Sequence, residues 1–138
     1  MKVFVDANIL VAVLNKQYPL FPFAARVLSL SDSKNYEVFT SPICLAIAFY
    51  FAEKKSGSKK AKQKIALLSE KLKIASADGN AVRLASKNPA VNDFEDGLEY
   101  YSAVNSGCVM IVTEDVGDFH FSEIPVYNSE TFLAQLPK

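Results

Sequence analysis

Three groups of acids stand where carboxylates could do chemistry. Asp6 follows the apolar run Val3-Phe4-Val5 directly and precedes Ile9, Leu10, Val13 and Leu14, which recur at helical spacing. Asp115 and Asp118 follow a continuously apolar stretch, Cys108 to Val112. Asp93, Glu95 and Asp96 open the segment that leads into that stretch. Carboxylates brought together repel one another and stay ionised only beside a cation or a basic group. For ligands made of oxygen alone, Mg²⁺ or Mn²⁺ is the natural compensator.

Each acid also has a plainer reading. Asp93 suits a helix N-cap, and Asp96 three residues on makes the pair resemble a capping box. Glu95 and Glu99 read as solvated charges on a helix, and Asp115 and Asp118 suit a turn. Asp6 resists such a reading. A charge set between Val5 and an apolar helix invites burial, which is costly without a partner.

The elements that must position these acids follow from pattern. Val3 to Val5 and Cys108 to Val112 read as strands buried on both faces. Tyr36 to Thr40 is a second strand candidate, Lys73 to Ala75 a short one, and Ile124 to Val126 an edge strand. Between them lie helical stretches. One runs over Phe23 to Leu30. Another is capped by Ser41 with Pro42 at its first position, and its run Ile43 to Ala52, apolar nearly all round, predicts deep packing. Lys54 to Lys64 reads as a Lys-rich link into a helix carrying Ile65, Leu67 and Leu68. Ser76 or Asp78 caps a further helix, Asn92 or Asp93 the next, which ends before Gly107, and Ser129 the last. Alternating strands and helices predict an α/β fold in three layers, a central, mainly parallel sheet flanked by helices. In such sheets, sites form at the carboxyl ends of strands, where Asp6 and Asp115 fall.

Composition narrows the class. The 138 residues are half hydrophobic and 22% charged, with no repeat or linker, so residues 1–138 read as a single domain. Lys plus Arg and Asp plus Glu are 15 each, so any nucleic-acid contact needs a local patch. Cys44 and Cys108 form no CxxC pair and read as buried thiols of a reduced compartment. Asp6 interrupts any signal-peptide pattern, and no apolar run reaches the ~18 residues of a membrane helix. A cytoplasmic protein with no membrane partner is the expectation.

Taken together, the acid-bearing segments resemble the PIN-domain family of metal-dependent nucleases, which includes many toxins of toxin–antitoxin pairs. Val3-Phe4-Val5-Asp6-Ala7-Asn8-Ile9-Leu10 is similar to the family's opening. Asp93-Phe94-Glu95-Asp96-Gly97-Leu98 with Tyr101-Ser102-Ala103 resembles its later acidic helix, and Val109 to Val112 with Thr113-Glu114-Asp115-Val116-Gly117-Asp118-Phe119 its strand and acid loop. The resemblance runs from Met1 to Leu136. It implies a PIN-like fold and hydrolysis of RNA phosphodiesters with Mg²⁺ or Mn²⁺ on Asp6, Asp96 and Asp115, the catalytic residues. It further implies that Asn8 braces Asp6 and that Thr113 holds a water or a carboxylate. Asp118 and Asp93 would serve a second metal or cap turns.

One departure bears on activity. The family usually carries a glutamate in the helix after the second strand, and the matching position here falls near Ile47. Glu53 lies about 9 Å further along the axis, too far to substitute. Glu114 stands where a basic residue is frequent, which makes the loop more acidic. The chain therefore reads as a PIN-type endoribonuclease with an antitoxin protein as one implied partner. The alternative is a catalytically weakened module that binds RNA or a protein. A receiver-like α/β domain would also place acids after strands, but no clear basic residue follows a late strand. Lys54, Lys55, Lys59, Lys60, Lys62 and Lys64 offer an RNA path or, as a plainer reading, a solvated face. Tyr18, Phe21, Phe23, Tyr50 and Phe51 are candidates for stacking on RNA bases but read mostly as core, and Phe21, Phe23, Tyr50 and Phe51 also offer a homodimer face. His120, the only histidine, reads as a surface residue, with general-acid chemistry the other role open to it.

Overall fold

Val3, Phe4 and Val5 are fully buried in the computed structural model, which describes residues 1–137. Burial on both faces makes β1 (Lys2–Val5) the middle of a five-stranded sheet. The strand order is β3 (Lys73–Ile74), β2 (Glu37–Thr40), β1, β4 (Met110–Val112), β5 (Val126–Tyr127). Every pairing is parallel, with Phe4 opposite Phe39 on one side and Ile111 on the other. The expected α/β architecture with a parallel sheet is therefore present. The chain first winds outward through β2 and β3, then returns to the other side of β1 through β4 and β5. That reversal puts a topological switch point between the carboxyl ends of β1 and β4.

Helices flank the sheet: α1 (Ala7–Leu14), α2 (Phe21–Ser29), α3 (Pro42–Ser56), α4 (Ser58–Lys71), α5 (Gly79–Lys87), α6 (Phe94–Asn105) and α7 (Ser129–Ala134). Against α1 pack α2 and α3, while α5 packs on α6. Gly97 makes the last pairing close: a Cβ there would lie 2.7 Å from Val91 Cγ1 and 3.1 Å from Ala85 Cβ. Among the described residues, no helix is long and apolar enough to cross a membrane. Both cysteines are buried free thiols.

Several boundaries differ from the sequence reading for physical reasons. Ser41 caps α3 by accepting from Cys44 N at 3.2 Å, as expected, but α3 is not packed all round. Only Cys44, Ala48 and Ala52 are buried, a single stripe of small residues spaced by four. The same geometry turns Tyr50 and Phe51 outward, and Tyr18 is 71% exposed, so these aromatics are not core. The expected Lys-rich link is one residue long. Gly57, at φ 86°, alone turns the chain from α3 into α4. Gly107, at φ 85°, ends α6, with Cys108 N donating to Ala103 O, so β4 starts only at Met110. Asp78 and Asp93 cap α5 and α6, whereas Asn128, one residue earlier than expected, caps α7.

Candidate metal centre

Asp6 leaves β1 and immediately caps α1. Its Oδ1 accepts from Ala7 N at 2.6 Å, and its Oδ2 accepts from the Thr113 hydroxyl at 2.8 Å. Asp6 is nine-tenths buried and Thr113 fully so. Because β1 and β4 are adjacent and parallel, the residues just past Val5 and Val112 meet. Asn8 ties the two loops together. Its amide donates to Thr113 Oγ1 at 3.0 Å and to Asp115 Oδ2 at 3.2 Å, and its Oδ1 accepts from Glu114 N at 3.2 Å. Asn8 thus connects to Asp6 through the Thr113 hydroxyl.

Asp6, Asn8, Asp93, Asp96, Asp115 and Asp118 all line one cavity of about 390 Å³, shared with Glu95 and Glu99. Ala7, Val11, Gln17, Ile47 and Phe51 complete its wall, and among the described residues no lysine or arginine lines it. Asp93 spends one oxygen on capping, accepting from Glu95 N at 2.9 Å. Asp118 sits in the 3₁₀ turn Val116–Phe119, its N–H donating to Asp115 O. A smaller recess of about 150 Å³ joins Asp93, Asp96, Asp118 and the exposed His120.

The charges in this cavity are uncompensated. Burial, then the carboxylates of Asp93, Asp6, Asp118 and Glu95, pushes Asp96 up to about 7. Burial and Asp93 also raise Glu95. Such a site favours a cation, and its carboxylate oxygens suit a hard divalent ion. The chain's residues therefore fit a metal, although Asp6, Asp96 and Asp115 share a cavity without converging on one point. Among the described residues, one trio alone brings its ligand atoms within 4.8 Å of one another: Asp6, Cys44 and Glu99.

Glu99 is the residue that the sequence reading missed. It is not a solvated helix charge but 1% exposed, with Oε1 accepting from Cys44 Sγ at 2.8 Å. Burial first, then hydrogen bonding and charge from Asp6, pushes its carboxyl up to about 11. Burial likewise raises the Cys44 thiol well above its usual value. The available signal was the spacing of three from Asp96, which puts both acids on one helical face. Glu114 is also corrected. Its carboxylate turns away from the cavity and accepts from Ser129 N at 3.2 Å and Ser129 Oγ at 2.5 Å, holding the start of α7.

The lysines divide. Lys55 donates to Asn15 O and Lys64 to Leu14 O, so both neutralise the carboxyl end of α1. Lys54 lies over the Tyr50 ring, while Lys59, Lys60 and Lys62 remain exposed.

Known proteins share this fold. The profile of a family described as PIN domain matches residues 2–117. Ribonuclease VapC1 of Aquifex aeolicus (strain VF5) is 24% identical over 135 residues, covering 95% of this chain and 92% of that protein. A crystal structure of VapBC2 from Rickettsia felis bound to a DNA fragment from its promoter superposes with a TM-score of 0.71 at 18% identity, covering 93% of this chain and 98% of the other. Mycobacterium tuberculosis VapC20, a Sarcin-Ricin loop cleaving toxin, gives 0.62 at 19% identity over 79% of this chain and 86% of its own.

Proposed function

This chain belongs to the PIN-domain family, and on that premise we propose that it is a metal-dependent endoribonuclease, the toxin of a toxin–antitoxin pair, working in the cytoplasm as one domain over residues 1–138. The observation that carries the reading is Asp6, buried and held by Thr113 in an acid-lined cavity where no basic residue is found among the described residues. Asp6, Asp96 and Asp115 are the catalytic residues, with Mg²⁺ or Mn²⁺ as cofactor. A bound divalent ion supplies acidification of a water and charge stabilisation at the phosphate. Asn8 and Thr113 orient Asp6 and Asp115, and the apolar wall of Val11, Ile47 and Phe51 limits water on one side.

RNA is the substrate, guided by Lys54, Lys59, Lys60 and Lys62, the lysines of this stretch that do not cap α1. A VapB-like antitoxin is the protein partner, a reading supported by the likeness to VapBC2. The outward aromatics Tyr50 and Phe51 support a homodimer, which light scattering of the purified chain tests. Ile47 supports a second reading, a weakened module that binds RNA without cutting it.

Calorimetric Mn²⁺ titration of wild type and Asp6→Asn, paired with RNA cleavage, separates the two. Metal-dependent cleavage lost in Asp6→Asn is the expected result. Mn²⁺ and RNA binding without cleavage selects the weakened module, and no difference between the proteins refutes the catalytic reading.

A further inference from the structure

Among the described residues, Glu99 has no ionic partner to account for its burial. Its carboxyl stands with a second acid, Asp6, and the thiol of Cys44, with ligand atoms all within 4.8 Å of one another. Enclosing a carboxyl among such groups costs free energy that a leucine at the same place would not incur. The cavity it lines is also lined by Ile47, the α3 position where the family resemblance led to the expectation of a glutamate. Helix α3 still touches this carboxyl, but through Cys44, whose Sγ donates to Oε1 at 2.8 Å and fixes its orientation.

We propose that Glu99 is a metal ligand of this centre: the carboxylate that the resemblance places on α3 is supplied here by α6, so that Glu99 and Asp6 hold the same divalent ion. This rests on the metal-dependent reading above. It explains how the centre keeps a buried acid deep beside Asp6 although Ile47 is apolar. It also places two ligands, Asp96 and Glu99, one turn apart on a single rigid helix. The chain has moved an acid between two facing helices rather than lost it.

The test uses the full chain and Mn²⁺ as the probe. Calorimetry and Mn²⁺-induced shifts in melting temperature compare wild type, Glu99→Gln and the double variant Glu99→Gln with Ile47→Glu. Glu99→Gln keeps the side-chain shape, so its metal-free melting temperature should equal or exceed that of wild type. Its Mn²⁺ affinity should fall at least about tenfold, and Ile47→Glu should recover most of that loss. Unchanged affinity in Glu99→Gln overturns the assignment and makes Glu99 a structural acid. An equal loss in both variants overturns the exchange between helices. Failure of the wild-type chain to take up Mn²⁺ overturns the metal-dependent reading, and this assignment with it.

Discussion

Thr113 donates its hydroxyl to Asp6 across 2.8 Å, joining residues 107 positions apart in sequence at the ends of two adjacent parallel strands. The same oxygen accepts from Asn8 Nδ2 and Asp115 N, so one buried hydroxyl organises both acid-bearing loops. Thr113→Val keeps the shape and removes all three bonds. It should destabilise the fold by about 1–3 kcal/mol, because a carboxylate and an amide lose a buried partner. Urea unfolding checks this, and Thr113→Ser should recover most of the difference.

The acid cluster sets the pH dependence of the metal-free protein. Asp96 is held up to about 7 and Glu99 up to about 11, both by burial first. The unfolded chain ionises these groups near pH 4, where the native chain still holds their protons. Above that pH the unfolded state therefore binds fewer protons, and stability falls as pH rises, through about 7 for Asp96 and onward towards 11 for Glu99. Melting curves in EDTA should drop from pH 5 to pH 9. Saturating Mn²⁺ should reduce the drop, and a melting temperature that climbs steadily to pH 9 in EDTA would refute the account.

Gly97→Ala tests how α6 is positioned. The added methyl would meet Val91 Cγ1 at 2.7 Å, closer than carbon atoms pack. A cost of about 1–3 kcal/mol is expected, as for other overpacked sites. Because Asp96 and Glu99 ride on the same helix, Mn²⁺ affinity should weaken as well. Denaturation and calorimetry on this one variant read both effects.

Lysine substitutions should separate structural from RNA-facing charges. Lys64→Ala removes a cap from the end of α1 and should lower stability by about 0.3–1 kcal/mol without changing the salt dependence of RNA binding. Replacing Lys59, Lys60 and Lys62 by alanine should leave stability nearly unchanged. If all three contact phosphate, the slope of log affinity against log salt should become shallower by about 2. Filter binding across a salt series reports the slope.

The strand acids were legible because a charge at the end of an apolar run is a local signal, and parallel pairing of β1 with β4 brings Asp6 and Asp115 into one cavity. The caps at Ser41, Asp78 and Asp93 were legible for the same local reason. Glu99 was not. Its burial depends on Cys44 and Asp6, which arrive from two other elements, and apart from its spacing of three from Asp96 nothing in Leu98-Glu99-Tyr100 distinguishes it from an exposed charge. Glu114 misled for a similar reason, since its partner Ser129 lies beyond the next strand. The apolar run of α3 misled differently: periodicity identifies the helix but not which face finds a neighbour. Lys55 and Lys64 look like any solvated lysines until α1 ends beside them.

The pairing of β1 with β4 also governs timing. During synthesis Asp6 emerges 107 residues before Thr113. Until β4 docks beside β1, Asp6 lacks both the Thr113 hydroxyl that holds it and the Asp115 carboxylate that shares its cavity. Contacts this distant in sequence form late because the intervening chain must close first. A nascent or truncated chain ending before Val112 therefore carries no assembled centre, whatever else of it has folded. The order of its strands thus makes assembly of the centre wait for β4, however early Asp6 has emerged.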